Sequence, residues 1–421
     1  MNITNNPRTQ LVGSVVAMVM IANLQYAWTL FVKPMQTETG WALSQIQWAF
    51  TLFIICQTWV QPLEGWLIDR MGPRFFITIA GVLCGGGWAL MGSARTPMEL
   101  YTYYCLAGVG AAFVYSGSIG SALKWFPNRR GFASGVIAAG FGGGTALFIP
   151  LIATLIKNHN YHAAFLWTGI IQGVVILAVA QFLRHPGPDF AKTAAKGAAN
   201  PKARRNTEQF TTSEMLRTPQ FYMLYMMFVA MATGGLLVTA QAGPVAVSWG
   251  LSAATLTTAT ALSPVANGAS RIFWGLVSDR TGRETAMSIV FLLQAACLMA
   301  VLILGRMSGT LFIVTLVLVF FTWGEVFSLF PSTLGDYFGS RNATSNYGFL
   351  YTAKGVASII GGGLAALLFE KFGSWTAAFY GSAALAFVSG LMAFGLRLVP
   401  LPRKAVKSEP APDAVVRGET G

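Results

Sequence analysis

Charge is what this chain lacks most. Only 10% of its 421 residues are charged, against roughly 25% in soluble domains, and that excludes an ordinary water-soluble enzyme. Cysteine and histidine are scarce too, with 4 and 3 residues. Cys56, Cys84, Cys105 and Cys297 stand in apolar segments with no metal-ligand or Cys-x-x-Cys spacing, so they read as packing residues and no disulfide is expected. His159, His162 and His185 fall in polar connections and read as solvated. Nothing matches a phosphate-cradling Gly-x4-Gly-Lys-Ser/Thr loop, the Arg-rich helix of a voltage sensor or a Thr-Val-Gly-Tyr-Gly filter, which argues against an ATP-driven pump and a potassium-type channel. There is no nucleophile-base or metal-ligand constellation, so neither an enzyme nor a cofactor or metal is expected.

What is present is apolar length. Hydrophobic residues make up 54% of the chain, the mean hydropathy is +0.57, and the apolar residues gather into runs of about 20, the length that crosses a bilayer as helix. Twelve spans are expected, near 12–32, 45–68, 75–93, 98–122, 131–156, 162–183, 220–243, 252–277, 285–305, 310–333, 345–368 and 374–398. The first is too long for a signal peptide and reads as a retained helix. With the N-terminus inside, the inner loops and tails hold 21 of the 28 Lys and Arg and the outer loops five. The positive-inside rule then places both termini in the cytoplasm of a bacterial-type inner membrane. The net charge of +13 reports topology and gives no reason to expect a nucleic-acid partner.

The chain divides into a six-helix half (1–184), a polar linker (185–219), a second six-helix half (220–398) and a cytoplasmic tail (399–421) that reads as disordered. Within the linker, Ser213 to Thr218 suits a short surface helix or a plain loop equally. Gly65–Arg74 reads GWLIDRMGPR and Gly275–Glu284 reads GLVSDRTGRE, an internal repeat about 210 residues apart. Glycines such as Gly72 permit a tight turn, and Asp69 or Asp279 is placed to pair with a nearby Arg and to face a helix N-terminus, holding one arrangement of the halves. Simple anchoring of Arg70 and Arg280 at the interface is the plainer alternative.

Two cations remain inside the membrane, Arg271 and Lys354, together with the acid Glu325. Intramembrane charge costs about 2.5 kcal/mol or more per residue and reads as functional by default. At 1.5 Å per residue all three fall roughly 12 to 16 Å from the inner face, near the midplane. Two cations there suit a small carboxylate held by charge-assisted bonds. An ion pair from Glu325 to either cation is the structural alternative, and Glu325 is equally a candidate proton-coupling group. Gln25, Tyr26, Gln47, Tyr115, Phe141, Trp323, Phe327 and Tyr351 supply polar and aromatic walls. Glycine clusters at Gly131–Gly144 and Gly355–Gly363 suit close helix approach and rocking between two states.

The twelve spans and the Gly65, Leu67, Asp69, Arg70, Gly72, Arg74 signature resemble the major facilitator superfamily, an all-α polytopic fold of two six-helix halves. The stretches Gln25–Leu30, Lys124–Pro127, Met215–Phe221, Thr322–Gly324, Leu329–Thr333 and Asn346–Phe349 resemble the bacterial oxalate:formate antiporters over most of the chain. That resemblance implies that Arg271 and Lys354 clamp the two carboxylates of a dianion. Phe141, Phe327 and Tyr351 stand where that family has Tyr, Tyr and Trp, and Glu325 where it has Gly. A carrier of small carboxylates follows, exchanging oxalate for formate or a similar pair; the alternative is a proton-coupled symporter of lactate- or pyruvate-like monocarboxylates. The expected partners are these anions, protons and the bilayer, with the chain acting as a monomer.

Overall fold

A computed structural model describes residues 6–187 and 204–404. Among these, twelve helical rods run in sequence: α1 (Pro7–Tyr26, continued as Thr29–Thr39), α2 (Leu43–Trp59 and Gln61–Met71), α3 (Pro73–Met91), α4 (Pro97–Trp125), α5 (Arg130–Gly143 and Thr145–Asn158) and α6 (Tyr161–Ala180) form one half. The second half holds α7 (Pro219–Ser248), α8 (Ala253–Thr281), α9 (Arg283–Ala300), α10 (Gly309–Trp323 and Val326–Phe338), α11 (Ala343–Ser358, then a π-helical stretch and Ala365–Phe372) and α12 (Thr376–Leu396). Nine of the rods are long and apolar enough by themselves to cross a bilayer. The three that fall short, α2, α8 and α11, carry Gln57 and Glu64, Arg271 and Lys354 respectively. Gln57, Arg271 and Lys354 each bond the other half of the protein and Glu64 is buried, which removes the need for an apolar helix all round.

Local chemistry sets the ends and the breaks. On the face opposite the termini, α4, α6, α8 and α10 each start at a side-chain cap, with Thr96, Asn160, Ser252 and Ser308 accepting from backbone amides three residues on. Five rods are interrupted along their length: at Ala27–Trp28, at Val60, at Gly144, at Gly324–Glu325 and along the π-helical Ile359–Leu364. Such interruptions are tolerated at membrane depth where protein covers the freed backbone groups. Their position around Arg271 and Lys354 ties them to the site.

Two seams join the halves. In α5 and α8, a Cβ added at Gly135 meets the Arg271 carbonyl oxygen at 2.2 Å and one at Gly131 meets that of Gly275 at 2.4 Å. In α2 and α11, a Cβ at Gly65 meets the Thr344 carbonyl oxygen at 2.5 Å. The backbones therefore touch with no room for a side chain.

Charges lock the seams at the face carrying both described ends of the chain. Asp69 accepts from the Thr344 and Ser345 amides at 3.3 and 2.8 Å, and Asp279 from the Gly131 and Phe132 amides at 3.0 and 2.8 Å. Each repeat aspartate thus caps the N-terminus of a helix in the opposite half. Asp279 finds a nearby arginine, as expected, whereas Asp69 takes a lysine. Asp69 binds Lys124 at 2.6 Å and Asp279 binds Arg283 at 2.7 Å, while Arg70 is exposed and lies over the Trp66 ring at 4.0 Å and Arg280 is exposed. The adjacent Arg70 and Arg280 are kept from these aspartates by geometry: neighbouring residues in a helix point about 100° apart.

Asp336 is the hub of the same face, bound by Arg130 at 2.5 Å, Arg283 at 2.8 Å and Arg205 at 3.3 Å. Arg205 also donates to Asn128 at 2.8 Å, so the end of the linker bridges both halves. Its short helix is a single turn, Thr212–Met215, with Thr211 and Glu214 capping each other. His162 and His185 are not merely solvated. His162 bonds Glu38 at 2.6 Å and contacts the Gly92 carbonyl; His185 lies 2.9 Å from the Ile68 carbonyl oxygen and 3.1 Å from Lys124 Nζ. Burial, then the Lys124 charge, pushes the His185 pKa down to about 4. Because the free imidazole titrates near 6.5, the folded chain takes up this proton less readily than the unfolded one. Stability contributed above pH 6.5 is therefore lost as pH falls towards 4. Thermal unfolding followed from pH 7 to pH 4 is expected to show that loss in the native chain and a flatter profile in His185→Gln.

Candidate functional site

Arg271 and Lys354 approach a common ring from the second half of the protein. The Arg271 guanidinium carbon lies 4.4 Å from the Phe327 ring centre and Lys354 Nζ 5.8 Å from it. Those two distances to a shared point bound their separation at about 10 Å. Arg271 is fully buried and Lys354 is 3% exposed. Lys354 Nζ donates weakly to Tyr351 at 3.2 Å, Gln25 at 3.4 Å and Gln57 at 3.5 Å, and lies 6.0 Å from the Phe141 ring centre. Among the described residues neither cation has an acidic partner within ion-pair distance. Two adjacent buried cations without a counter-charge make an anion-seeking site.

The aromatic residues form one continuous wall. Ring centres run from Tyr26 to Phe141 at 5.4 Å, Phe141 to Tyr115 at 5.6 Å, Tyr115 to Tyr351 at 4.8 Å, Tyr351 to Phe327 at 6.2 Å and Phe327 to Trp323 at 5.7 Å. Residues from α1, α4, α5, α10 and α11 thereby converge, and all six rings singled out in the sequence belong to this chain. Gln25 joins it through Lys354. The side chain of Gln47 lies outside the described residues. Gln57, ten residues further along α2, is the α2 glutamine within reach of Lys354, a residue that sequence reasoning missed.

Asn267 was missed as well. Its Oδ1 accepts from Arg271 Nε at 3.2 Å and Nη2 at 2.7 Å, and the Ala138 carbonyl accepts from Nη1 at 2.7 Å. These bonds come from one turn back in α8 and from α5, and they leave two of the five guanidinium N–H groups to be shared between the Tyr26 hydroxyl and a ligand. The sequence signal was an amide four residues before an intramembrane Arg, on the same face. Asn267→Ala removes both bonds that orient the guanidinium from α8 and is expected to weaken anion binding by roughly tenfold, as measured by ligand-induced thermal shift.

Glu325 follows the α10 break, fully buried, with neither carboxylate oxygen hydrogen-bonded. Among the described residues it pairs with neither Arg271 nor Lys354, so the structural ion pair is not formed in this state. A cavity of about 920 Å³ extends from Gln25, Tyr26 and Lys354 away from the termini face, between Phe50–Trp59 of α2, Leu236–Ala240 of α7 and Gly355–Ile359 of α11. Lys354 stands on its wall, whereas Arg271 lies behind the aromatic wall. The arrangement is closed by charge locks on one side and hollow on the other.

Two helical bundles around a mid-depth site, sealed on one face, define a secondary carrier of the bilayer. The chain belongs to the Major Facilitator Superfamily, whose sequence pattern matches residues 13–355 and again 222–417. It is 39% identical to the oxalate:formate antiporter of Oxalobacter formigenes, over 98% of this chain and all of that one. It is also 24% identical to monocarboxylate transporter 12 of Rattus norvegicus, over 83% of this chain and 77% of that one. The solved structure of the human organic anion transporter MFSD10 superposes with a TM-score of 0.68 over 93% of this chain and 100% of that chain; at 15% identity it shows the shared fold. The protein is thus a multi-pass membrane protein of the transporter class.

Proposed function

We propose that this carrier moves small carboxylates by alternating access, exchanging oxalate for formate or a similar pair. The carrying observation is that Arg271 and Lys354 flank the Phe327 ring without an acidic partner. A two-carbon dianion making one charge-assisted bond of about 2.8 Å to each cation fits within the upper limit those distances set. An anion entering the cavity meets Lys354 first. Reaching Arg271 requires the aromatic wall to shift, which couples binding to closure of that side and release of the aspartate locks on the other. The similarity to an oxalate:formate antiporter supports the substrate class. The 21-to-5 distribution of cations supports cytoplasmic termini. In that orientation the described state is open towards the outside.

In liposomes loaded with formate, labelled oxalate is expected to accumulate by exchange. Absence of exchange with oxalate, formate, lactate, pyruvate or malonate as external partner contradicts the reading. Glu325 supports a second reading, proton-coupled uptake of a monocarboxylate, because both its oxygens are buried and unpartnered. That reading expects an inward proton gradient to drive accumulation and Glu325→Gln to abolish the drive; uptake indifferent to the gradient removes it.

A further inference from the structure

Glu64 takes no part in the substrate layer, yet it is only 1% exposed, and neither of its carboxylate oxygens has a hydrogen-bond partner. It continues a stripe on α2: Gln57, Gln61 and Glu64 recur at i, i+4 and i+7, which places them on one helical face, and each is buried. Gln57 reaches Lys354 at 3.5 Å, and Gln61 Nε2 donates to the Gln57 carbonyl at 3.1 Å. Beyond those contacts, Gln57 Nε2, Gln61 Oε1 and both Glu64 oxygens are left without partners. Unsatisfied polar atoms at membrane depth are costly and need a reason.

The reason lies in where the stripe runs. Gly65, the neighbour of Glu64, sits against the Thr344 backbone, and Gly348 packs against the Gln61 carbonyl, so Gln61 and Gly65 border the α2/α11 seam, while Glu64, between them in sequence, is turned towards Cys84 of α3. Asp69, five residues beyond Glu64, seals that seam. Parting of the seam on the termini side uncovers Gln61 and Gly65 and so brings water to within one helical turn of Glu64 on the way to Lys354. The stripe's polar atoms, unpaired in the closed state, then meet water.

We infer that Glu64 is a proton-binding site, holding its proton while the termini face is closed and exchanging it with water on that side when α2 and α11 separate. A buried carboxylate with no partner favours the neutral acid, and wetting removes the burial. The step is a transfer from the carboxyl O–H to water, leaving a carboxylate and a hydronium ion. The titratable groups that face Glu64 are Cys56 on its own helix and Cys84 on α3. On α4, Lys124 is held by Asp69; on α11, Tyr347 and Lys354 make no bond to Glu64. Seven residues of helix put Glu64 about 10 Å from Gln57 and the Lys354 layer. A negative charge appearing there competes with the bound anion for Lys354 and favours its release to the termini side. The inference rests on the alternating-access reading above.

The test is infrared spectroscopy of the purified chain in lipid, without substrate, comparing the native protein with Glu64→Gln, Glu325→Gln and the lock variant Asp69→Asn/Asp279→Asn. The native chain is expected to show a protonated-carboxyl C=O band that Glu64→Gln diminishes and that does not titrate from about pH 5 to about pH 8, a range above ordinary carboxyl values. In the lock variant the Glu64 component is expected to titrate within that range. An unchanged band in Glu64→Gln overturns the inference, and so does identical titration with and without the locks. Should Glu64→Gln fail to fold, Glu325→Gln serves instead, since a surviving band that titrates only after the locks are removed assigns it to Glu64. No transport enters the readout, so a chain that carries no carboxylate but shows this behaviour keeps the proton site and loses the substrate reading.

Discussion

Arg271→Ala abolishes carboxylate exchange in liposomes while the purified protein still folds as a monodisperse helical chain: that is the largest effect expected from this structure. Arg271 spends three contacts on Asn267 and Ala138 and keeps two N–H groups to be shared between the Tyr26 hydroxyl and a ligand. A hydrogen bond to a charged group contributes about 1.5 to 3 kcal/mol, so losing two of them weakens binding by at least about a hundredfold. The same argument gives Lys354→Ala a large loss, though a smaller one, because one ammonium makes fewer directed contacts than a guanidinium fork. Lys at position 271 is expected to restore little, since it cannot bond Asn267, Ala138 and a ligand in the same geometry. Exchange near the native rate in Arg271→Ala contradicts the role given to that residue.

The second large effect concerns conformation. Asp69→Asn and Asp279→Asn each remove a carboxylate that caps a helix of the opposite half and pairs with a buried or half-buried cation. A charge at a partly buried helix terminus is worth up to about 2 kcal/mol, which shifts a two-state equilibrium by roughly 30-fold. The double variant is therefore expected to populate the state open at the termini face. Single cysteines placed along α5 near Gly131 and along α11 near Thr344 should become reactive from that side. Unchanged protection in the double variant would mean that the seams close by backbone packing alone, through Gly135 and Gly65.

The fold was largely legible in the sequence because the bilayer imposes length and polarity on each span, and because the repeated GxLxDRxGxR segment marks the two halves. The breaks were not legible. Gly144 and Gly324 look like ordinary packing glycines until partner helices satisfy the freed backbone groups. The substrate layer was readable in its charged members, since intramembrane cations are too costly to be incidental, whereas the six aromatics, each of which alone reads as packing, were singled out by the resemblance to the oxalate:formate antiporters. Gln57 and Asn267 were missed because a buried amide carries no depth signal of its own, and their importance appears only beside Lys354 and Arg271. The Asp336 hub was missed for a different reason. Its three arginines come from α5, α9 and the linker, so no local pattern reports the cluster.

The central claim is that two cations clamp one small dianion. Calorimetric titration of oxalate into the purified native chain, Arg271→Ala and Lys354→Ala tests it most directly. One oxalate should bind per chain, with heat lost in both variants and formate binding more weakly than oxalate. Oxalate binding of equal strength in all three proteins contradicts the clamp.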